Sequence, residues 1–103
     1  MSNQAVNWIG TGRYELRNYE YPDRPGQHLQ FMCKEYDSTE DKNTVVVDGT
    51  SVDDIVKVLA HRIAVLDEKE SCAENLEILG HLSAITNLLR QRRRNRDTQM
   101  SLF

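Results

Sequence analysis

The sequence has very little cysteine, which excludes several protein classes at once. Only two cysteines, Cys33 and Cys72, occur in 103 residues. They are too few for a disulfide scaffold and stand at no spacing typical of metal ligands, so a reducing cytosol is the expected compartment. The sequence also lacks a signal-peptide pattern and any apolar run of about 18 residues. We therefore expect an intracellular protein with no membrane partner.

Motifs typical of enzymes are missing as well. Residues 9–12, Ile-Gly-Thr-Gly, lack the third glycine and the βαβ context of a dinucleotide-binding fingerprint, and there is no P-loop, H-E-x-x-H motif or nucleophile elbow. No histidine lies near a serine or cysteine in a pattern that suggests nucleophilic catalysis. The three histidines are far apart, at His28, His61 and His81. We expect no enzymatic activity, no catalytic residue, no metal site and no cofactor.

Positive charge is scarce except at one end of the chain. Residues 1–71 contain 8 Lys+Arg against 13 Asp+Glu, whereas residues 72–103 contain 5 against 3. All five of the latter positive charges lie between Arg90 and Arg96. A concentrated basic end on an acidic protein favours a local anionic partner over the coating of duplex DNA, which requires a broadly basic surface.

The first half of the chain has the period-two alternation of half-buried β-strands. Tyr14 and Leu16 alternate with charged residues, and Leu29, Phe31 and Cys33 alternate with Gln30, Met32 and Lys34. We predict an arm at about 1–12 and then a small antiparallel β-meander within 13–48. The predicted strands are Arg13–Tyr21, His28–Tyr36 and Thr44–Val47.

The second half has the spacing of helices. Ser51 and Ser71 each begin a capping-box pattern, and apolar residues recur after each at three- and four-residue spacing. We predict one helix at 51–69 and a second at 72–95, with a loose tail at 97–103. Helices joined by one or two residues form an antiparallel hairpin. The predicted fold is therefore α+β, in a single domain over 1–103.

The apolar stripe of the second helix becomes polar at both ends. Its members repeat at four- and three-residue spacing and are Ile78, Leu82, Ile85 and Leu89. The same repeat falls on Asn75 at one end and on Arg92 and Arg96 at the other. At 1.5 Å rise per residue these ends are roughly 25–32 Å apart, too far for one small ligand to contact both within one chain. A site that uses both ends needs a second chain, which favours a pocket at a subunit interface.

Two interpretations of the arginines stay open on residue chemistry alone. Cations at a helix C-terminus complement its dipole, although like charges four residues apart repel. Alternatively, Arg92 and Arg96 form a fork that grips phosphate oxygens bidentately. Four aromatic residues, Tyr14, Tyr19, Tyr21 and Phe31, are candidates for stacking on a ligand, with packing within the sheet as the alternative.

A set of short motifs resembles one known family. They are Leu29-Gln-Phe-Met-Cys33, the run from Asp48 to Ile63, Cys72-Ala-Glu-Asn75, Leu79 to Ala84, Leu88-Leu89 and Arg92-x-x-x-Arg96. Together they resemble the helical hairpin shared by phage anti-Thoeris and anti-CBASS proteins. The strands before the hairpin are similar to the anti-Thoeris branch.

The resemblance implies a function as well as a fold. Members of that family are non-enzymatic sponges that form dimers and larger homo-oligomers, typically hexamers. They bind cyclic ADP-ribose isomers made by Thoeris enzymes, and some also bind the cyclic oligonucleotides of CBASS. By this resemblance Asn75, Arg92 and Arg96 are the expected ligand-binding residues, and the protein acts in the bacterial host cytoplasm.

Two other functions fit parts of the pattern. The Arg90–Arg96 cluster is compatible with a small phage accessory protein that binds nucleic acid, although the acidic remainder of the chain argues against a nucleic-acid partner. An adaptor that inhibits a host protein through the helical face is the third alternative.

Overall fold

The structure is a computed structural model that describes residues 5–101, with the side chains of residues 5–97. It divides into two compact units, with the boundary between Ser51 and Val52. The N-terminal unit contains five antiparallel strands and the C-terminal unit contains two helices. The predicted α+β class with a C-terminal helical hairpin is confirmed, and the single domain over 1–103 stays a prediction.

Three strands form an antiparallel sheet, in the order β1 (Val6–Gly10), β2 (Arg13–Leu16) and β3 (Gln27–Gln30). A turn at Thr11-Gly12 joins the first two, and Gly12 has a φ of 66°, which glycine adopts without the steric cost of a Cβ. The predicted arm at 1–12 is therefore wrong for residues 6–10, because a bulge between Trp8 and Gly10 obscures their alternation. Residues 1–4 of that prediction lie outside the described residues.

A structured loop follows β2, which ends at Leu16 and not at the predicted Tyr21. The Asn18 amide donates a hydrogen bond to the Pro25 carbonyl at 2.9 Å and so closes the loop. Gly26 then passes so close to β2 that a Cβ there would lie 2.2 Å from the Leu16 carbonyl oxygen. Only glycine permits this approach, which brings the chain back into the sheet as β3.

Phe31 and Met32 divide the strand predicted at His28–Tyr36 into two. The Phe31 backbone N–H donates to the Gly12 carbonyl at 2.7 Å, and the Met32 N–H donates to the Thr50 carbonyl at 2.9 Å. The backbone therefore exchanges partners at this point, and the chain leaves the first sheet and begins a second. The side-chain alternation continues through the break, which is why the pattern predicts one strand.

The second sheet is a two-stranded hairpin of β4 (Cys33–Asp37) and β5 (Lys42–Val47). In its turn, the Asp37 carboxylate accepts the Thr39 backbone N–H at 2.9 Å and also the Thr39 hydroxyl. These bonds favour the charged form and lower the pKa of Asp37 from its usual value. The strand predicted at Thr44–Val47 is confirmed, but the predicted three-stranded meander is five strands in two sheets.

The C-terminal unit is a hairpin of α1 (Val52–Lys69) and α2 (Ala73–Ser101). Helix α1 begins one residue after the predicted Ser51 and ends as predicted. Helix α2 continues past the predicted end at residue 95, so the loose tail is wrong for residues 97–101. No glycine or proline follows Gly80 in the sequence, and nothing else there ends the helix. Residues 102–103 of the predicted tail lie outside the described residues.

The two helices pack along a line of residues that we call the seam. Its members are half-buried or buried and recur at three- and four-residue spacing on each helix. On α1 they are Asp53, Val56, Ala60, Ile63 and Asp67, and on α2 they are Asn75, Leu79, Leu82, Thr86 and Leu89.

The seam of α2 differs from the predicted stripe at two of its four positions. Ile78 and Ile85 are 40% and 41% exposed, whereas the next residues, Leu79 and Thr86, are half-buried. A threonine is accommodated there because its hydroxyl donates to the Leu82 carbonyl at 3.0 Å. The prediction was wrong because isoleucine gives a stronger apolar signal than threonine at the adjacent position.

Little apolar surface is removed from water within either unit. Among the described side chains, Val56 is the only buried hydrophobic residue, at 7% exposure. Large apolar side chains remain exposed on both units, and contiguous exposed apolar surface usually marks an interaction site. Within residues 5–101 no helix combines the length and apolar character that crossing a membrane requires.

Candidate functional site

Asn75 lies in the turn of the helical hairpin and is half-buried. Its side-chain amide donates to the Asp67 carboxylate at 3.3 Å and to the Glu70 carbonyl at 3.4 Å. The same Asp67 oxygen accepts the Cys72 backbone N–H at 3.3 Å. Asn75 therefore links the start of α2 to the end of α1, and its side-chain oxygen is the part left to accept a hydrogen bond from a ligand.

Arg93 closes the opposite end of the seam. Its guanidinium donates to the Asp53 carboxylate at 2.8 Å, and the Asp53 side chain is only 23% exposed. Arg93 follows Leu89 by four residues and so continues the seam spacing. Arg93 is not among the predicted site residues, because the predicted stripe passes through Ile85, one residue before the seam residue Thr86.

Arg92 and Arg96 are both exposed. Neither guanidinium has a hydrogen bond or an ion pair among the described residues. Four residues on a helix turn by about 40° beyond a full circle, so the two side chains project on the same side. Arg92 and Arg96 therefore share one side of α2, whereas Arg93 is bonded to Asp53. The role of Arg92 and Arg96 as a fork that grips phosphate oxygens stays a prediction. Seventeen positions separate Asn75 from Arg92, about 26 Å along the axis, so the structure does not bring them together within one chain.

An exposed apolar surface, which we call the apolar face, runs along one side of the hairpin. Each member immediately precedes a seam residue on its own helix. Because the helices are antiparallel and turn in the same sense, rows that precede the seam on both helices lie on the same side. Arg92 precedes Arg93 and therefore continues the α2 row. The exposed apolar members of this face are Val52, Leu59, Leu66, Ile78, Ile85 and Leu88, which are 38% to 64% exposed, and the same two rows also contain Arg62, Glu74 and His81.

A second basic surface lies on the other side of α2. Arg90 and Arg94 are four residues apart and exposed, and neither has an ion-pair partner among the described residues. They line an open concavity of about 450 Å³ together with Asn87, Gln91 and Arg93. The polar row at three- and four-residue spacing is the sequence signal for this surface, but the predicted site residues follow the apolar stripe on the opposite side of α2.

Tyr14 and Phe31 contact each other in the N-terminal unit. Their ring centroids are 6.0 Å apart and the planes are at 87°, an edge-to-face arrangement. Both residues are half-buried. The pair contributes to packing of the sheet, and a role in stacking on a ligand stays a prediction.

Among the side chains of residues 5–97, the remaining titratable groups form no arrangement typical of an active site. His28 accepts a hydrogen bond from Arg13 at 2.7 Å and lies 3.5 Å from the Glu15 carboxylate, whereas His61 and His81 are exposed on separate helices. Among the described residues no three His, Cys, Asp or Glu side chains are grouped closely enough to hold a metal ion. The absence of an enzymatic activity stays a prediction.

Comparison with known proteins gave no match, whether to a family model, to a curated protein or to a solved structure.

Proposed function

We propose that this chain binds a cyclic ADP-ribose-type immune signal and retains it without chemical change, as a phage anti-defence sponge acting in the bacterial host cytoplasm. The ligand class comes from the resemblance to anti-Thoeris and anti-CBASS proteins, and cyclic oligonucleotides are the second ligand class to test. The observation that carries the proposal is the state of the arginines: Arg93 is neutralised by Asp53, whereas Arg92 and Arg96 have no partner among the described residues.

The chemistry of the ligand suits this pair. A cyclic ADP-ribose contains a pyrophosphate, whose oxygens can accept paired N–H bonds from two guanidinium groups held on one side of a helix. Repulsion between like charges four residues apart is relieved when an anion binds between them. Binding of this kind requires neither a nucleophile nor a general base, so the ligand is released unchanged.

Self-association would complete the pocket. The apolar face is suited to pack against the same face of a second copy of the chain, and Arg92 continues its α2 row. If two hairpins pack antiparallel through this face, the arginine end of one chain meets the Asn75 end of the other. The Asn75 side-chain oxygen can then accept a hydrogen bond from a ribose hydroxyl while its amide remains bonded to Asp67.

Retention of ligand tests the function directly. Purified protein is incubated with cyclic ADP-ribose isomers or cyclic oligonucleotides, washed and heated, and the released compound is identified by mass spectrometry. We expect an unmodified cyclic ADP-ribose isomer. Double substitution Arg92→Ala and Arg96→Ala should weaken binding by at least about 100-fold, since two charge-assisted contacts are lost. Lys57→Ala is the control, because Lys57 is an exposed cation on α1 that follows the seam residue Val56 and therefore lies on the side opposite the apolar face. Retention of none of these compounds, or release of an altered one, would refute the proposal.

Solution mass tests the assembly step. Ile85→Glu inserts a charge into the apolar face and should shift the light-scattering mass from an oligomer towards a monomer. Leu76→Glu is the control, because Leu76 is 62% exposed but lies on the opposite side of α2. A wild-type protein that is monomeric at all concentrations, or equal effects of the two changes, would exclude a pocket built at this interface.

Nucleic-acid binding is the second candidate, favoured by the exposure of arginines on both sides of α2. It predicts affinity for long single- or double-stranded DNA or RNA that falls steeply with salt, because several phosphates release counterions on binding. A sponge predicts binding of the cyclic ligand that changes far less with salt.

A further inference from the structure

The concavity beside Arg90 and Arg94 is lined only by side chains that can donate hydrogen bonds. Three arginines and two amides form its wall, and no carboxylate is among them. Two other concavities differ in this respect: one on the N-terminal unit includes Glu15 and Asp23, and one at the hairpin turn includes Glu70. Asp97 is the next acid along α2 but is not part of the lining. The chemistry of this wall therefore favours an anion.

Part of this wall is fixed before any ligand binds. Arg93 is held by its 2.8 Å bond to Asp53, so its side chain is already ordered by the seam. Arg90 and Arg94 flank it on the same side of the helix, one turn apart. A ligand that binds here has to order two arginine side chains, not three, which lowers the entropic cost of binding.

This surface is separate from the Arg92 and Arg96 fork. At 100° per residue, the midpoint of one arginine pair lies about 160° around the helix from the midpoint of the other. One small ligand cannot contact both pairs. Within the cluster, Arg90 and Arg94 therefore form one pair and Arg92 and Arg96 form the other. The two pairs face in nearly opposite directions, and Arg93 lies between them in the seam.

We propose that Arg90 and Arg94, with Asn87 and Gln91, form a second anion-binding site for a small oligophosphate. Two guanidinium groups one turn apart can each hold one phosphate group, and the amides can bind hydroxyl or bridging oxygens. The concavity is open to water and has a volume of about 450 Å³. The net charge of −3 disfavours a long polyanion. This site does not depend on the proposed sequestering function.

Calorimetric titration with inorganic pyrophosphate tests the site, in a background of Arg92→Gln and Arg96→Gln that removes the other arginine pair. This variant should bind one pyrophosphate per chain. Adding Arg90→Gln and Arg94→Gln should weaken binding at least about tenfold, because two charge-assisted contacts are removed. Adding Arg62→Gln instead should change affinity by less than about twofold, since an exposed charge elsewhere acts only through the screened general field.

Further variants separate a built site from general attraction. Gln91→Ala should weaken pyrophosphate binding without changing net charge. An effect of the Arg90 and Arg94 changes no greater than that of Arg62→Gln would overturn the proposal. Tighter binding of a 30-nucleotide single strand with a steep salt dependence would also overturn it, in favour of a nucleic-acid surface. Failure of wild-type protein to retain a cyclic ADP-ribose isomer would refute the sponge and leave the pyrophosphate result to stand.

Discussion

Replacing Arg93 by alanine should destabilise the helical hairpin, whereas the same change at Arg92 should not. Arg93 lies 2.8 Å from Asp53, with side-chain exposures of 59% and 23%. Exposed ion pairs contribute about 0.2–1 kcal/mol, and the partial burial of Asp53 places this one near the upper end. We therefore expect Arg93→Ala to lower the free energy of unfolding by about 1 kcal/mol. Arg92→Ala instead removes repulsion from Arg96 and should raise it by about 0.2–0.5 kcal/mol.

Urea unfolding followed by circular dichroism at a helical wavelength measures both changes. Both replace an arginine by alanine in the same helix, so the difference in helix propensity cancels between them. A double-mutant cycle with Asp53→Asn measures the interaction energy between Arg93 and Asp53. It separates this energy from the favourable interaction of the Asp53 charge with the helix dipole at the start of α1. The coupling energy should be about 0.5–1 kcal/mol and should decrease in high salt.

Two outcomes would contradict this reasoning. Equal destabilisation by Arg92→Ala and Arg93→Ala would mean that the seam does not distinguish neighbouring arginines. Strict additivity of Asp53→Asn and Arg93→Ala would mean that the contact contributes nothing to stability in solution.

Three further outcomes follow from the contacts described. Asn75→Ala should lower the free energy of unfolding by about 1 kcal/mol, because Asp67 loses a hydrogen-bond donor; unchanged urea unfolding would contradict this. Thr86→Val should raise it by about 0.5–1 kcal/mol by adding apolar contact in the seam, and a loss in the same assay would show that the hydroxyl is needed. Nuclear magnetic resonance titration should find the Asp37 pKa below that of ordinary aspartates, and Thr39→Ala should raise it. Because this pKa is lowered on folding, the stability it provides is present above the unfolded pKa and is lost as pH falls through the folded one.

Much of the fold could be predicted from local signals. Apolar spacing and the capping pattern at Ser51 gave helix α1 to within one residue, and the alternation around Tyr14 gave part of the sheet. The division at Phe31 could not be predicted, because it depends on backbone bonds to Gly12 and Thr50, each about 19 residues away in sequence.

The site was predictable only in part. The sequence indicated that the arginines matter and that Arg92 and Arg96 share a side of α2. It did not indicate which arginine packs, because that depends on how the two helices are rotated against each other. The contact between Arg93 and Asp53 spans 40 positions, and the pattern of either helix alone cannot determine it.

The arrangement of the arginine cluster also constrains how this gene can change. Arg93 is fixed opposite Asp53. The direction in which each of the other four arginines of the cluster points therefore depends on how many residues separate it from Arg93. Insertion or deletion of one residue between Leu89 and Arg93 would rotate everything beyond it by about 100°. Variants of this helix should therefore differ by substitution on either side, and length changes before Arg93 should be rare among functional descendants.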